Sequence, residues 1–579
     1  MSQIAILPVH LQNKIAAGEV IERPASVAKE LIENAIDAGS TAITVEVEKA
    51  GRKLIRVSDN GSGMERDDVC RAFDRYATSK IADESDLFAL HTLGFRGEGL
   101  AAIAAVSRIT AVTGRPGGTG TSLSVVAGIV EDIRDCASAG TLLEVRDLFY
   151  NTPARRKFLK SDTTENYHII DTVTREALTH PSIRFMLRTD GHEAMLAPSA
   201  ASFRERIMQI FGKEFVDGLI ETTAESRGLH AHLFISSISM VRNTRTNQYV
   251  FVNNRPVKDV TIQQAIYRAY EGLLPRDQHP VFFVFLSVDP AQVDCNVHPT
   301  KREVRFQDKS SIFRLIADAA RKVLLTEAMR HPAGAEQHPE AVLEYRVGIS
   351  SAVPSSPNSF PSLPSAQGDM VAEASDTYLT ERLPFVYLGD TLVAFSDESG
   401  LIVMDYHAAH ERVNYERFLE AAKLPAHQLL FPQQVQLLRH ECSVLLDHRE
   451  LLFSCGIEVD DFGDGSVIVR SVPELLQGAD LASLLRDIAD ALLLQGDEPT
   501  AAGSGDSAMP EPIARKKRYL AAQLACHASV RGREVPDAFR LAQLKRSLAL
   551  THEPDRCPHG RPTQIRMSMD ALKKMFRKS

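Results

Sequence analysis

The sequence predicts a multidomain protein of mixed α/β and α+β class. Its 579 residues exceed what one hydrophobic core supports and imply about three or four domains. Strand-like apolar runs at 42–47, 54–57 and 248–252 alternate with segments of helical period. After residue 330 a tract carrying Pro354, Pro357, Pro361 and Pro364 among Ser and Ala breaks the pattern. Such a tract buries too little apolar surface to offset its ordering entropy and reads as a flexible linker. The expected units are 1–200, 201–330 (a break near Ala200 precedes a helix from about Ser202), the linker 331–377, and 378–579.

A content of 44% hydrophobic and 24% charged residues is ordinary for a folded protein. No apolar run approaches the roughly 20 residues that cross a bilayer. Met1-Ser2-Gln3-Ile4 lacks the basic-then-apolar pattern of a secretory signal. Seven irregularly spaced Cys suit a reducing compartment better than a disulfide framework. A cytoplasmic protein without membrane contact is therefore expected. The net charge of −9 restricts any nucleic-acid contact to local basic patches.

The first strongly patterned element is an acidic helix, 30–37. At about 100° per residue, Val27, Ala28, Leu31, Ile32, Ala35 and Ile36 fill one side, while Glu30, Glu33, Asn34 and Asp37 crowd one arc of the other. Ser26 is expected as the N-cap and Gly39 as the residue beyond the C-cap. Like charges along such an arc repel by roughly 0.2–0.5 kcal/mol per pair, and Lys29 is expected to touch only its edge. A solvated acidic face fits this arc; so does a site for a cation and an activated water.

A strand then ends in Val57-Ser58-Asp59-Asn60-Gly61-Ser62-Gly63-Met64. A carboxylate there can accept from an exocyclic amine such as adenine N6, and the glycines admit close backbone approach. Thr92-Leu93-Gly94-Phe95-Arg96-Gly97-Glu98-Gly99-Leu100 follows and opens an apolar helix, 101–106. Glycine-rich backbone at a helix N-terminus suits phosphate. The missing Lys-Ser/Thr pair separates it from a P-loop.

Asn34, Asp59-x-Gly61-x-Gly63, the lid 94–99 and Gly140-Thr141 resemble the four motifs of the GHKL ATPases, a group spanning gyrase-type topoisomerases, heat-shock ATPases, histidine kinases and MutL. Longer strings narrow the resemblance to the MutL mismatch-repair family: Ile15-Ala16-Ala17-Gly18-Glu19-Val20-Ile21-Glu22-Arg23-Pro24, Ala77-Thr78-Ser79-Lys80, Asn151-Thr152-Pro153-Ala154-Arg155-Arg156-Lys157-Phe158-Leu159 and Asn296-Val297-His298-Pro299-Thr300-Lys301. The resemblance implies a Bergerat-type ATPase sandwich followed by a transducer domain. It implies that Glu33 activates water, Asn34 holds Mg²⁺, Asp59 reads adenine, and Thr141 supports Asp59. Thr78, Ser79, Lys80, Gly94, Phe95, Arg96, Gly97, Glu98, Gly99 and Leu100 would surround the triphosphate of ATP. Lys301, from the transducer, would reach the γ-phosphate. Tyr76 departs from the family's common His.

In the C-terminal part a hairpin is expected over 391–405, turning at 397–400, with a helix from 406 to about 422. Asp405 ends the strand, and His407 and Glu411 share one helix face. Downstream, Cys557 precedes Pro558, so an extended backbone would point Cys557 and His559 the same way. This mixed donor set suits Zn²⁺ or Mn²⁺. Surface histidines and an inert thiol would give the same spacing. The strings resemble the endonuclease form of MutL, which implies ligands Asp405, His407, Glu411, Cys526, Cys557 and His559, with Asp405 and Glu411 catalytic. Three departures stand out: Tyr406 for Gln, His527 for Arg, and Lys578 for a terminal Arg.

Gln428-Leu429-Leu430-Phe431-Pro432 resembles the family's sliding-clamp-binding string; an apolar strand edge in a dimer core fits equally. For DNA, Arg155, Arg156 and Lys157 equally suit a solvated helix end. Arg268, in an expected helix 261–271, lies near a DNA-contacting position of relatives, although Tyr267 aligns there. Such contacts would read backbone, not sequence. The expected function is an ATP-regulated mismatch-repair homodimer that nicks DNA once a MutS-type partner recruits it. A matchmaking scaffold without nuclease activity is the alternative, and a strand-passage enzyme a more distant one that lacks a visible Tyr-bearing cleavage domain.

Overall fold

The computed structural model describes residues 20–81, 92–94, 97–238, 240–242, 244–274, 278–294, 304–330, 384–397, 400–420, 426–463, 465–494, 511–529 and 537–575. Residues 15–19, Phe95, Arg96, the string 296–301 with Lys301, the tract 331–377, a Gly/Ser/Asp-rich loop at 496–510, and Lys578 lie outside the described residues. The chain divides into two compact units, 1–327 with 414–529, and 328–413 with 530–579.

The first unit opens with α1 (Pro24–Asp37). The helix begins before the expected Ser26 cap: Arg23 is the N-cap and Pro24 takes the first turn, where its missing N–H costs nothing. Gly39 lies in the left-handed region (φ 73°), as a residue following a C-cap does. Val27, Ala28, Leu31, Ile32 and Ala35 are buried, and full burial of a Leu or Ile contributes about 1.5–3 kcal/mol.

That face covers an eight-stranded sheet. Its strands are β1 (Ala42–Glu48), β2 (Leu54–Asp59), β3 (Arg108–Gly114), β4 (Gly120–Val126), β5 (Ile129–Cys136), β6 (Gly140–Arg146), β7 (Arg184–Thr189) and β8 (His192–Ala197), in the order β5-β4-β3-β6-β2-β1-β7-β8. Only β1 and β7 pair in parallel. In β1, Ile43, Val45 and Val47 alternate inward. On its other face Glu46 pairs with Arg56, which also pairs with Glu144. Helices α2 (Gly99–Ala105) and α3 (Asp162–Thr179) complete the core, with α3 packed along α1. This topology sets Asp59 directly opposite Thr141, at the ends of β2 and β6 beside the C-terminus of α1.

A helix follows at Phe203–Phe211, capped by the expected Ser202. A second sheet contains β9 (Leu219–Ser226), β10 (Leu229–Ser236), β11 (Gln248–Val252), β12 (Arg255–Pro256) and β13 (Phe282–Ser287), in the order β12-β11-β13-β10-β9. Helices Val260–Ala269 and Lys309–Arg330 cover it through Ile262, Ile266, Ile316 and Leu324. The later part of this unit has a three-stranded sheet (Ala426–Gln436, Ser466–Pro473, Glu458–Gly463) with helices Arg439–Asp447, Leu481–Leu494 and Glu511–Ala528.

In the second unit, strands Val386–Gly389, Leu392–Asp397, Gly400–Asp405 and Gln564–Ser568 form an antiparallel sheet. Two of them make the expected hairpin, with turn residues 398–399 outside the described residues. Val393, Phe395, Ile402 and Met404 face a core shared with Tyr406, Ala409, Leu541 and Leu548. Helix Tyr406–Glu420 starts where that hairpin ends. Among the described residues no helix is long and apolar enough to cross a membrane.

Candidate nucleotide site and candidate metal centre

Asp59 Oδ1 accepts from Ser40 Oγ (3.0 Å) and the Gly61 amide (2.8 Å). Burial raises the Asp59 carboxyl above its ordinary value, and those two donors oppose the shift. Gly61 has no room for a side chain, because a Cβ would lie 2.6 Å from Ser40 Oγ and 2.8 Å from the Ala38 carbonyl. Thr141 Oγ1 lies 3.0 Å from Thr113 Oγ1, which also accepts from the Met64 amide (3.0 Å). Thr113 thereby ties β6 to the 61–64 segment, a role its unremarkable strand context concealed.

Glu33 is buried. Its Oε1 pairs with Lys29 Nζ at 3.0 Å, while Oε2 has no hydrogen-bond partner among the described residues. Lys29 is thus not at the edge of the acidic arc, as expected from the wheel, but inside the site. The reason is electrostatic: a buried carboxylate needs an opposite charge. Burial lowers the Lys29 pKa, yet Glu33, Glu30 and Glu176 together hold it above its ordinary range. Glu176, on α3, is buried too. Its burial and then Glu33 push its pKa up to about 8, against the pull of Lys29 and Arg175. Glu176 lies outside every motif string and carries no local signal.

Asn34 Oδ1 accepts from Lys80 Nζ (2.7 Å), which also pairs with Asp37 Oδ2 (2.6 Å). An amide oxygen already facing a cation fits the assignment of Asn34 to Mg²⁺. Thr78 Oγ1 accepts from the Lys80 amide, while Ser79 is exposed. Gly97 accepts from the Tyr76 amide (2.9 Å), Glu98 caps α2, and Gly99 and Leu100 form its first turn. Arg255 Nη2 reaches from β12 to the Thr92 carbonyl (2.6 Å), a link to the lid absent from the sequence reading.

In the second unit, single donor atoms of Glu411, Cys557 and His559 lie within 4.8 Å of one another. Glu411 Oε1 faces His407 Nε2 at 3.2 Å; its Oε2 faces Arg561 Nη2 at 3.0 Å and His559 Nδ1 at 3.5 Å. Burial opposes ionisation of Glu411, but His407 and His559 hold it far below the usual carboxylate range. Cys557 and Glu411 together raise His559 to about 9. Burial raises the Cys557 thiol, and the His559 side chain with the Arg561 and His559 amides more than reverses this. A poised thiol beside a carboxylate and an imidazole fits zinc better than an alkaline-earth ion.

The extended backbone expected from Cys557 to His559 gives way to a turn at Pro558 and His559. The Gly560 amide donates to the Cys557 carbonyl (2.9 Å) and the Cys557 amide to the Arg561 carbonyl (2.8 Å). Pro558, with its fixed φ, favours such a turn, which brings Cys557 and His559 together by folding back. Asp405 lies outside the three-residue cluster; its Oδ1 accepts from the amides of His407 and Ala408 (3.1 Å each) and caps the helix. Cys526 lies on the helix Glu511–Ala528, in the first unit. Two departures have structural employment. The Tyr406 hydroxyl donates to the Asp390 carbonyl (3.3 Å), and buried His527 pairs with Asp487 (2.8 Å).

A metal ion bound at this cluster would have to displace the proton that keeps His559 charged up to about pH 9. Zinc affinity is therefore expected to rise about tenfold per pH unit between roughly pH 7 and 9 for each proton released. Calorimetry in buffers of different ionisation enthalpy measures that release.

Gln428-Leu429-Leu430-Phe431-Pro432 lies at a register break in its strand, with Leu430 87% and Phe431 81% exposed. Arg268 lies on the helix Val260–Ala269 and is ion-paired with Glu271; the Tyr267 hydroxyl bonds Gln248 and His279 (3.0 Å each).

The chain matches the family described as histidine kinase-, DNA gyrase B- and HSP90-like ATPase over residues 22–133. It also matches the DNA mismatch repair protein C-terminal domain over 207–325 and the MutL C-terminal dimerisation domain over 386–535. It is 38% identical to the DNA mismatch repair protein MutL of Thermodesulfovibrio yellowstonii, covering 100% of both chains. Against the MutL of Geobacter sulfurreducens it is 35% identical, over 100% of this chain and 99% of the relative. Against that of Rhodopseudomonas palustris it is 38% identical, over 98% and 99%. An ATPase domain of the GHKL type and a dimerisation domain are thus joined in one chain, and that chain belongs to the MutL family of DNA mismatch-repair proteins.

Proposed function

We propose that this chain couples ATP turnover in its first domain to metal-dependent nicking of DNA in its last, within a homodimer summoned by a MutS-type mismatch-recognition protein. The proposed domains are 1–200 (ATPase), 201–330 (transducer with Lys301), 331–377 (linker) and 378–579 (dimerisation and nuclease). Glu33 takes a proton from the attacking water, for which Oε2, unpartnered among the described residues, is the available acceptor. Asp59 binds the adenine amine, and the 78–80 loop and the lid 94–100 hold the phosphates. Mg²⁺ at Asn34, when bound, neutralises phosphate charge. Positioning and charge neutralisation are what phosphoryl transfer chiefly requires.

The observation that carries the nuclease reading is the Glu411–Cys557–His559 cluster, with its depressed carboxyl and thiol and raised imidazole. We assign Asp405 and His407 to the same centre. Zn²⁺ or Mn²⁺ held there supplies Lewis acidity toward a DNA phosphate. Arg561, paired with Glu411, fixes the ligand's orientation.

The homodimer reading draws on the outer face of the sheet in the second unit. Val386, Leu388 and Ile565 are exposed there, and Val386, Ala394, Val403 and Ile565 lie in one cross-strand row. The exposed Leu430 and Phe431 support a sliding clamp as a further partner. Asp405, engaged as a helix cap, is what favours the alternative of a matchmaking scaffold that does not cut.

Supercoiled plasmid incubated with the full chain and Mn²⁺, with and without ATP, tests the proposal. Accumulation of nicked circles is expected. Background nicking alongside normal ATP turnover would leave the scaffold reading in its place.

A further inference from the structure

Thr113, Thr141 and Asp59 stand directly opposite one another across β3, β6 and β2, so their side chains rise in one row on one face of the sheet. Thr113 is fully buried, while Thr141 and Asp59 are half-buried. Each hydroxyl in the row has one hydrogen to give and two lone pairs to receive. Thr113 Oγ1 accepts from the Met64 amide at 3.0 Å and donates to the Gly140 carbonyl at 3.1 Å. Its one hydrogen is then used, so the 3.0 Å contact with Thr141 Oγ1 is made only if Thr141 donates. The reverse assignment loses the bond to Gly140. The Ser40 hydroxyl and the Gly61 amide likewise give their hydrogens to Asp59 Oδ1. The hydrogens of Ser40, Gly61 and Thr141 are thus all spent inside the protein. Packing holds the arrangement in place: Gly63 has no room for a Cβ against the Gly114 carbonyl, beside the Met64 amide that Thr113 receives.

We propose that Thr113 is a specificity-determining residue of the nucleotide site: by taking the Thr141 hydrogen it leaves Asp59 and Thr141 as acceptors alone, a face that fits an amino-bearing base and rejects a keto-bearing one. The proposal rests on the reading of Asp59 as the adenine contact. Adenine carries at position 6 an amine with two hydrogens; hypoxanthine carries there an oxygen with none. Against two acceptors the amine finds partners, whereas the oxygen sets lone pairs against lone pairs. A site built to pair a donor rejects the analogue that lacks it, because the site's own polar groups go unpaired. Thr113 acts through the hydroxyl rotor of Thr141. Without Thr113 that rotor is free to turn its hydrogen outward and meet a keto oxygen.

Competition titrations of ATP and ITP against a fluorescent nucleotide, on the full-length protein, test this through binding instead of turnover. The two nucleotides differ in the 6-substituent of the purine. Thr113→Val keeps the branched shape but neither gives nor accepts a hydrogen bond. The preference for ATP over ITP, taken as the ratio of dissociation constants, should fall about three- to tenfold, the worth of one neutral hydrogen bond. Thr113→Ser restores the hydroxyl and should restore the ratio. Hydrogen exchange on the nucleotide-free protein gives a second reading: the Met64 amide should exchange about tenfold faster in the valine variant and stay protected in the serine variant. A thermal melt establishes that the variants fold. Thr113→Cys, whose thiol bonds only weakly, replaces the valine variant if that one does not. A folded variant that keeps the wild-type ratio, whether both nucleotides bind normally or both weaken equally, would overturn the proposal and leave Thr113 a structural part of the sheet.

The same titrations on Asp59→Ala separate this from failure of the underlying reading. If that variant bound ATP and ITP as wild type does, Asp59 would not read the base, and this proposal would fall with that assignment. Loss of the preference in Asp59→Ala, with the preference intact in folded Thr113→Val, would remove the proposal alone.

Discussion

Glu33→Gln is expected to bind ATP and fail to hydrolyse it, with single-turnover rates reduced about 10²- to 10⁴-fold. The amide keeps the shape of the side chain and can still face Lys29, which lies 3.0 Å from Oε1. What it loses is the capacity to accept a proton at Oε2, the oxygen without a hydrogen-bond partner among the described residues. Asp59, Ser40 and Gly61 are untouched, so nucleotide affinity should stay within roughly threefold of wild type in a fluorescence titration. Glu33→Ala should be equally inactive but less stable. It leaves Lys29 buried with less compensating charge, a defect worth about 3–5 kcal/mol when a buried pair is broken. Glu176 makes the glutamine variant informative in a second way. Burial is the first cause of its raised pKa and the Glu33 charge the second, so neutralising Glu33 should lower it. A group of raised carboxyl pKa stabilises the fold most below its unfolded value of about 4.5 and loses that contribution as pH climbs toward about 8. The decline in melting temperature over that window should therefore be shallower in Glu33→Gln. Turnover within tenfold of wild type would remove Glu33 from its role as base.

The parts of the site that were legible in the sequence are those that physical chemistry writes locally. The apolar stripe of α1, the Asp ending β2, the glycines after it and the lid are each contiguous strings, and the fold gathers them because β2, β6 and the end of α1 meet. The parts that were not legible are pairings between distant segments. Glu176 belongs to the interior because α3 packs along α1. Arg255 reaches Thr92 across 163 positions. Neither has a neighbour in sequence that marks it. The placement of Lys29 has a related cause: a helical wheel gives directions, but it does not say which side of the polar arc is buried, here the side where Lys29 meets Glu33. Asp37 is one acid among several on the helical arc, and its three donors come from segments far along the chain. At the second centre the Cys557 and His559 spacing was informative, whereas its geometry was not. Pro558 supports both extended and turned backbone, and the Gly560 and Arg561 hydrogen bonds select the turn.

Asp405→Asn is expected to abolish plasmid nicking while sparing ATP hydrolysis. The substitution is structurally mild. Asp405 caps the helix Tyr406–Glu420 through two amide contacts at 3.1 Å, and Asn caps a helix about as well as Asp. The melting temperature should therefore stay within about 2 °C of wild type. What is removed is a negative charge two residues before His407, whose Nε2 faces Glu411 Oε1 at 3.2 Å. If that charge helps hold a metal against DNA phosphate, losing several kcal/mol of transition-state stabilisation lowers nicking at least about 100-fold. Cys557→Ala supplies the complementary arm. The thiol is buried, so its loss leaves a small cavity, but its main consequence should be reduced zinc content by metal analysis, with nicking falling in parallel. Wild type and Asp405→Asn nicking at the same near-background level would sink the nuclease function even if zinc were bound, and would assign the cluster a structural role in a scaffold. Strong nicking by Asp405→Asn would instead keep the activity and dismiss Asp405, moving the catalytic assignment to Glu411 and its partners.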